Sequence, residues 1–371
     1  MPSTKKIQLA KRMKHFQSSG IRKMFELASK MQNPIDLSLG QPDFDVPEQV
    51  KEAAISAIKS GKNGYTQTRG IQPLQEAITS SLNAEGIPHE TSMITSGASG
   101  GILLALLALV DRGDEVLITD PGFVAYNPMI RLAGATPIPI DIYPDFKLTP
   151  EKLKAAITPN SKVLIFNSPG NPTGIMHTKE EIAALVEVIK EYDIQVIADE
   201  VYNLFTYSTA HESLLKHDPN AILIRAFSKS WGMPGWRSGY AAGPERILNQ
   251  MITLQQFTYV CVNQPTQWAC IEALKTDISH LIKEYEAKRD LVYEGLKDYF
   301  DIIKPTGAFF MFPKSPHGDT DTFLNKCIEK EVLIVPGKAF SNKNTHFRLS
   351  FANKNSILEQ GIEKLITIAK S

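Results

Sequence analysis

An α/β protein is predicted: a large domain whose mainly parallel sheet is covered by helices, joined to a smaller α+β domain. Three observations predict it. Short apolar runs alternate with helical patterns from residue 93 to residue 225, the order that builds parallel sheets. The loops marked by Gly, Pro and polar residues each follow one of those runs, which gathers them at the strands' carboxyl ends. Past residue 245 the chain turns to long helical stretches with a few short strands. A length of 371 residues with 43% hydrophobic content suffices for two domains. The expected division is a large domain over 46–275 and a small one made of 1–45 and 276–371.

Taken in order, residues 1–34 begin with helix-like sequence and end at Asn33-Pro34. Residues 35–39 alternate apolar and polar as a short strand does, and Gly40 and Pro42 force a loop after them. A proline start and an apolar stripe predict a helix over 47–60. Tyr65 and Gly70 fall in the next loop, before a helix from Pro73. Residues 93–97 end a strand and open the apolar helix ASGGILLALLALV. Strands are predicted at 115–119, 136–141, 162–167, 194–198 and 221–225, with a helix over 179–191 among those between. The loops Asp120–Phe123, Ser168–Gly174, Asp199–Tyr202 and the turn around Lys229 each follow a strand. A long helix is expected within 276–300, then strands near 308–312, 333–335 and 346–350 and a closing helix.

Composition excludes several function classes. Forty basic residues balance forty acidic ones, so no global field favours nucleic acid or an anionic membrane. The first thirty residues hold eight Lys/Arg against Glu26 alone, read as a solvated helix face. Cys261, Cys270 and Cys327 are too few and too far apart for a disulfide framework or a zinc site, which fits a reducing cytoplasm. No apolar signal core follows the basic start, and the longest apolar run, 102–110, is too short to span a bilayer.

Lys229 organises the rest. It lies between an apolar strand and the turn Gly232-Met233-Pro234-Gly235, beside Trp231 and Trp236 and near Arg237. An amine placed there loses hydration, its pKa falls, and it becomes a nucleophile for carbonyls; a solvated loop lysine is the plain alternative. Gly97, Ala98 and Ser99 stand at a helix start whose free N–H groups suit a phosphate, although many helices begin this way without an anion.

Together these motifs resemble the class I/II pyridoxal-phosphate-dependent aminotransferases of fold type I, in the family's order and near its spacing, over 35–348. The resemblance implies pyridoxal 5'-phosphate as cofactor. It makes Lys229 the Schiff-base lysine that also shuttles a proton at the substrate's α-carbon. Asp199 becomes the partner of the pyridine nitrogen, and Asn171 and Tyr202 hydrogen-bond the phenolic oxygen. Phe123 stacks on the ring. The phosphate falls to Gly97, Ala98, Ser99, Arg237, Ser228 and the neighbouring subunit's equivalent of Tyr65, which implies a homodimer with a shared active site. Arg348 grips the substrate carboxylate, with Asn171 and the Gly40 backbone beside it. The Asn171–Pro172 peptide is expected to be cis. Two places depart from the family pattern: Ala226 stands where many relatives carry a phosphate-binding Ser, and Ser238 where they carry an aliphatic residue. The implied reaction moves an amino group from an L-amino acid to a 2-oxo acid by a ping-pong route. The alternatives are a C–S β-lyase or synthase on the same fold, and, less favoured, a non-enzymatic cofactor-binding regulator. The substrate side chain is expected near Phe16, Ile21, Phe309, Phe340 and partner loops, which leans toward apolar or aromatic amino acids, or broad specificity.

Overall fold

A computed structural model describes residues 8–16, 31, 33–316, 318 and 320–371. Ile21 lies outside them. In chain order the strands are β1 (Ile35–Asp36), β2 (Thr91–Thr95), β3 (Glu115–Asp120), β4 (Thr136–Asp141), β5 (Ser161–Asn167), β6 (Gln195–Asp199), β7 (Ile222–Ala226), β8 (Gly239–Gly243), β9 (Phe310–Met311), β10 (Val332–Leu333), β11 (Val335–Pro336) and β12 (Phe347–Ser350). Seven of them form one sheet in the order β2-β8-β7-β6-β5-β3-β4. Five pair in parallel, β7-β6-β5-β3-β4, whereas β8 runs antiparallel to both β7 and β2. Because β8 reverses twice, β2 points the same way as β7. The ends of β2, β3, β5, β6 and β7 therefore open on one edge.

Apolar residues bind the helices to this sheet. The helix Gly97–Leu109 is apolar on all sides, as a helix must be when it packs on the sheet and is covered in turn by the helix Glu245–Gln256. The helix Lys179–Glu191 begins at a capping box, with Thr178 and Glu181 satisfying each other's backbone N–H. Its observed span equals the expected one.

The remaining strands are short. β1 pairs in parallel with β10, and β11-β12-β9 form a small antiparallel sheet. A separate buried cluster joins Ile35 and Leu37 to Tyr285, Phe309, Phe347 and Leu365. One expectation is corrected, and one strand had no counterpart in the sequence reading. The strand foreseen over 35–39 keeps two paired residues, because Ser38 turns to hydrogen-bond Asp36 at 2.6 Å. The long helix expected within 276–300 is present as Ser279–Leu296. β8 was not foreseen, since its sequence, GYAAG, carries almost no β-branched signal.

Candidate active site

The carboxyl edge of the large sheet borders a cavity of about 300 Å³. Of the thirteen residues singled out from sequence, all but Gly97 and Tyr65 line it. Lys229 stands on a single helical turn, Phe227–Ser230, directly after β7. Its Nζ donates to the Gly40 carbonyl at 2.6 Å. Burial first, then the positive charges of Arg348 and Arg237, lower its pKa to about 8. An ordinary lysine is protonated almost completely at neutral pH; this one keeps a usable fraction of free amine.

Asp199 closes one end of the cavity at the tip of β6. Its Oδ2 accepts from Tyr126 Oη at 2.6 Å and its Oδ1 from the Val201 N–H at 3.2 Å. Burial raises this carboxyl to about 6, and the Tyr126 hydrogen bond opposes the rise. Asn167, the last residue of β5, donates to the Asp199 carbonyl at 2.9 Å and accepts the Asn171 N–H at 3.0 Å. Asn167 thereby ties the Ser168–Gly174 loop to β6. The Asn171–Pro172 peptide is cis. Asn171 Nδ2 donates to Tyr202 Oη at 3.4 Å, and its Oδ1 accepts from Arg348 Nη1 at 3.1 Å.

At the opposite end lies the start of the helix Gly97–Leu109, whose first N–H groups have no helical acceptor. Gly97 (φ +66°) lies so near Arg237 that a Cβ on it would come within 2.7 Å of Nη2. Arg237 itself takes the left-handed conformation, φ 54°, which costs a non-glycine residue on the order of 1–2 kcal/mol. That backbone turn brings the guanidinium to Pro234 O at 3.0 Å and Ser96 O at 3.5 Å. A positive helix end and an arginine side by side make an anion cradle. Ser228 is buried and lines the cavity, while Ala226 lines a second cavity of about 550 Å³ behind β7. Ser238 is buried and accepts the Cys270 thiol at 3.2 Å.

Arg348, on β12, is 1% exposed. Nη2 donates to Ser38 O at 2.7 Å, and the guanidinium stacks over Phe310 at 4.4 Å and Phe340 at 4.8 Å. Its Nε finds no partner, and among the described residues no carboxylate pairs with it. Burial lowers its pKa to about 10. A buried guanidinium without a counter-ion is costly unless an anion arrives to complete it.

Phe123 lines the cavity and meets Tyr126 edge-on at 5.4 Å. Tyr65 is 87% exposed and lies outside the cavity of its own chain. The expectation for the side-chain pocket is corrected in part. Phe16 and Phe309 do not line the cavity; Phe309 is buried among Tyr202, Phe205 and Phe310. Phe340 does not line it either; its ring meets the Arg348 guanidinium at 4.8 Å. Tyr126 and Asn167 escaped the sequence reading, though each had a signal: Tyr126 is three residues past Phe123, and Asn167 immediately precedes the Ser168–Gly174 loop.

The sequence model of the family described as aminotransferase class I and II matches residues 32–365. The chain is 37% identical to a probable aspartate aminotransferase of Methanocaldococcus jannaschii, over 95% of this chain and 98% of that one. It is 33% identical to aromatic-amino-acid aminotransferase 2 of Thermococcus litoralis, over 98% of each. Among solved structures, the aspartate aminotransferase from Thermus thermophilus with maleate superposes with a TM-score of 0.93 at 31% identity, covering 98% of this chain and 100% of that one.

Proposed function

The chain belongs to the class I and II aminotransferases and is a pyridoxal-phosphate-dependent transaminase; from that premise we propose which of its residues do the work. One observation carries the assignment. A single cavity holds an amine of lowered pKa, a buried carboxylate at one end, a helix start with an arginine at the other, and a buried arginine without a counter-ion. These groups fit pyridoxal 5'-phosphate: the cradle formed by Gly97, Ala98, Ser99, Ser228 and Arg237 suits a phosphate, and Asp199 suits a protonated ring nitrogen. Lys229 would hold the cofactor covalently through its amine, Asn171 and Tyr202 would hydrogen-bond its phenolic oxygen, and Phe123 would stack on its face. When bound, the cofactor supplies an electron sink for the pair left by the broken Cα–H bond.

The chain's own residues set the geometry. Arg348 binds the α-carboxylate of donor and acceptor alike, its planar fork matching two oxygens. The Gly40 backbone lies beside that fork: a Cβ there would be in ordinary contact with Arg348 Nη2, at 3.7 Å. With the carboxylate fixed, Lys229 takes the proton from Cα in one half-reaction and returns one in the other, which its pKa near neutrality permits.

We further propose a homodimer in which Tyr65 of a second copy completes the phosphate cradle; its 87% exposure in one chain supports this. Three unpaired cysteines support a reducing compartment, the cytoplasm. No helix among the described residues is long and apolar enough to cross a membrane. For the donor we propose apolar and aromatic amino acids. Ile102, Phe123, Val201 and Pro234 line the cavity, and each lining cation already has a task.

A donor panel of aspartate, glutamate, phenylalanine, tyrosine and leucine, each with pyruvate or 2-oxoglutarate, tests the reading. Amine transfer with aromatic donors fastest is expected; aspartate fastest would overturn the donor assignment alone, and ammonia release would favour elimination. Lys229→Ala should abolish both turnover and the borohydride-trappable yellow linkage. Survival of both would overturn the residue assignment.

A further inference from the structure

Glu200 follows Asp199 at the tip of β6, is 2% exposed, and does not line the catalytic cavity. Its carboxylate is saturated. Oε1 accepts from Ser213 Oγ at 2.7 Å and the Leu214 N–H at 3.1 Å. Oε2 accepts from Arg225 Nε at 3.2 Å and Nη2 at 3.0 Å. Arg225 is itself buried, lies four residues before Lys229 on β7, and passes its charge outward to Glu85 at 2.8 and 3.0 Å. The segment held by Oε1 continues to His211, whose Nε2 donates to the Ser168 carbonyl at 3.1 Å. Ser168 opens the loop that carries Asn171.

Three strand ends therefore converge on one carboxylate: β7 before Lys229, β6 bearing Asp199, and, through residues 211–214, the loop bearing Asn171. A buried carboxylate commonly needs one cation to offset its desolvation. This one adds two further donors, each drawn from the segment that braces a cavity loop. We infer that Glu200 is a positioning residue, whose carboxylate fixes Lys229 and Asn171 relative to Asp199 without touching substrate or cofactor. The inference rests on the roles proposed above for those three residues.

Charge as well as shape is involved. Removing Glu200's charge leaves Arg225 buried with Glu85 alone, while removing both charges leaves neither orphaned. Reacting groups tolerate little misplacement: a shift of about 1 Å costs up to roughly a hundredfold in rate.

The test uses the cofactor-loaded enzyme with Glu200→Gln, Ser213→Ala, Arg225→Gln and the double variant Glu200→Gln/Arg225→Gln. Ser213→Ala keeps the ion pair and serves if Glu200→Gln fails to fold. Three readouts are taken on that loaded enzyme: kcat against KM and the pH midpoint of the yellow linkage at Lys229, both per bound cofactor, and hydrogen exchange of amides 168–174 and 222–231. Both Glu200→Gln and Ser213→Ala should lower kcat more than KM rises and speed exchange in 168–174. Glu200→Gln should also move the linkage midpoint, and the double variant should recover part of its loss. If Glu200→Gln and Ser213→Ala lower only the melting temperature, leaving kcat, midpoint and exchange unchanged, Glu200 is packing and the inference is wrong. Lys229→Ala run in parallel separates the two failures: retained turnover there would sink the residue roles themselves, whereas a dead Lys229→Ala beside unaffected Glu200 variants would sink this inference alone.

Discussion

Desolvation decides the chemistry of single side chains here. Lys229 is brought to about 8 mainly by burial. Loading of the cofactor-free chain by an aldehyde should therefore speed up as pH rises through about 8 and level off beyond it; stopped-flow absorbance that instead keeps climbing to the ordinary lysine range would contradict the lowered value. Asp199 moves the other way, to about 6, because burial penalises its charged form while the Tyr126 hydroxyl favours it. Tyr126→Phe removes that donor, so the carboxyl should titrate higher, by roughly one pH unit for a hydrogen bond to a charged group. Carboxyl ¹³C NMR of the cofactor-free chain reads this directly. The stability cost should be full above about pH 8, where the folded carboxyl is charged with or without the hydroxyl, and smaller below about pH 5, where it is neutral in both.

At the scale of elements, close backbone approach shapes the anion cradle. The start of the helix Gly97–Leu109 meets Arg237 on one side and β8 on the other. A Cβ on Gly239 would lie 2.7 Å from the Arg225 carbonyl and 2.9 Å from the Gly97 carbonyl carbon. Small residues in β8 are thus a requirement of packing, and the same smallness hid the strand from a propensity reading. Gly97→Ala should push Arg237 away and strain a backbone at φ +66°. Cofactor affinity should fall roughly tenfold or more, the scale of one lost charge-assisted contact. Fluorescence titration measures it; unchanged affinity would show that Arg237 does not need that position.

For the whole molecule, we propose the division into 46–275 and 1–45 with 276–371, supported by the pairing of β1 with β10 and by the β11-β12-β9 sheet, both separate from the seven-stranded sheet. The two parts meet where Asp120 Oδ2 accepts the Asn342 N–H at 3.1 Å and the Gly122 N–H donates to Phe340 O at 2.9 Å. That seam holds the ring of Phe340 against Arg348. If Tyr65 serves a neighbouring copy, two dead variants should complement. Mixing Lys229→Ala with Tyr65→Ala after subunit exchange rebuilds one intact site per hybrid dimer, so activity should return to roughly a quarter of wild type for random pairing of equal amounts. No recovery would mean that each chain works with its own Tyr65.

Local chemistry in this sequence carried the strand–helix alternation and the anion-ready helix start, because periodicity and helix-start residues are read at short range, while the resemblance to the family pointed to the lysine, the carboxylate and both arginines. Tertiary structure alone decided the rest. β8 had to reverse between β7 and β2 for the cradle to share an edge with Lys229, and Tyr126 had to come from another strand's loop to reach Asp199. Arg348 became an unpaired buried cation only when β12 packed against Ser38 and Asn171, residues 310 and 177 positions away. Contacts at such separations depend on how elements stack, and no local pattern encodes that.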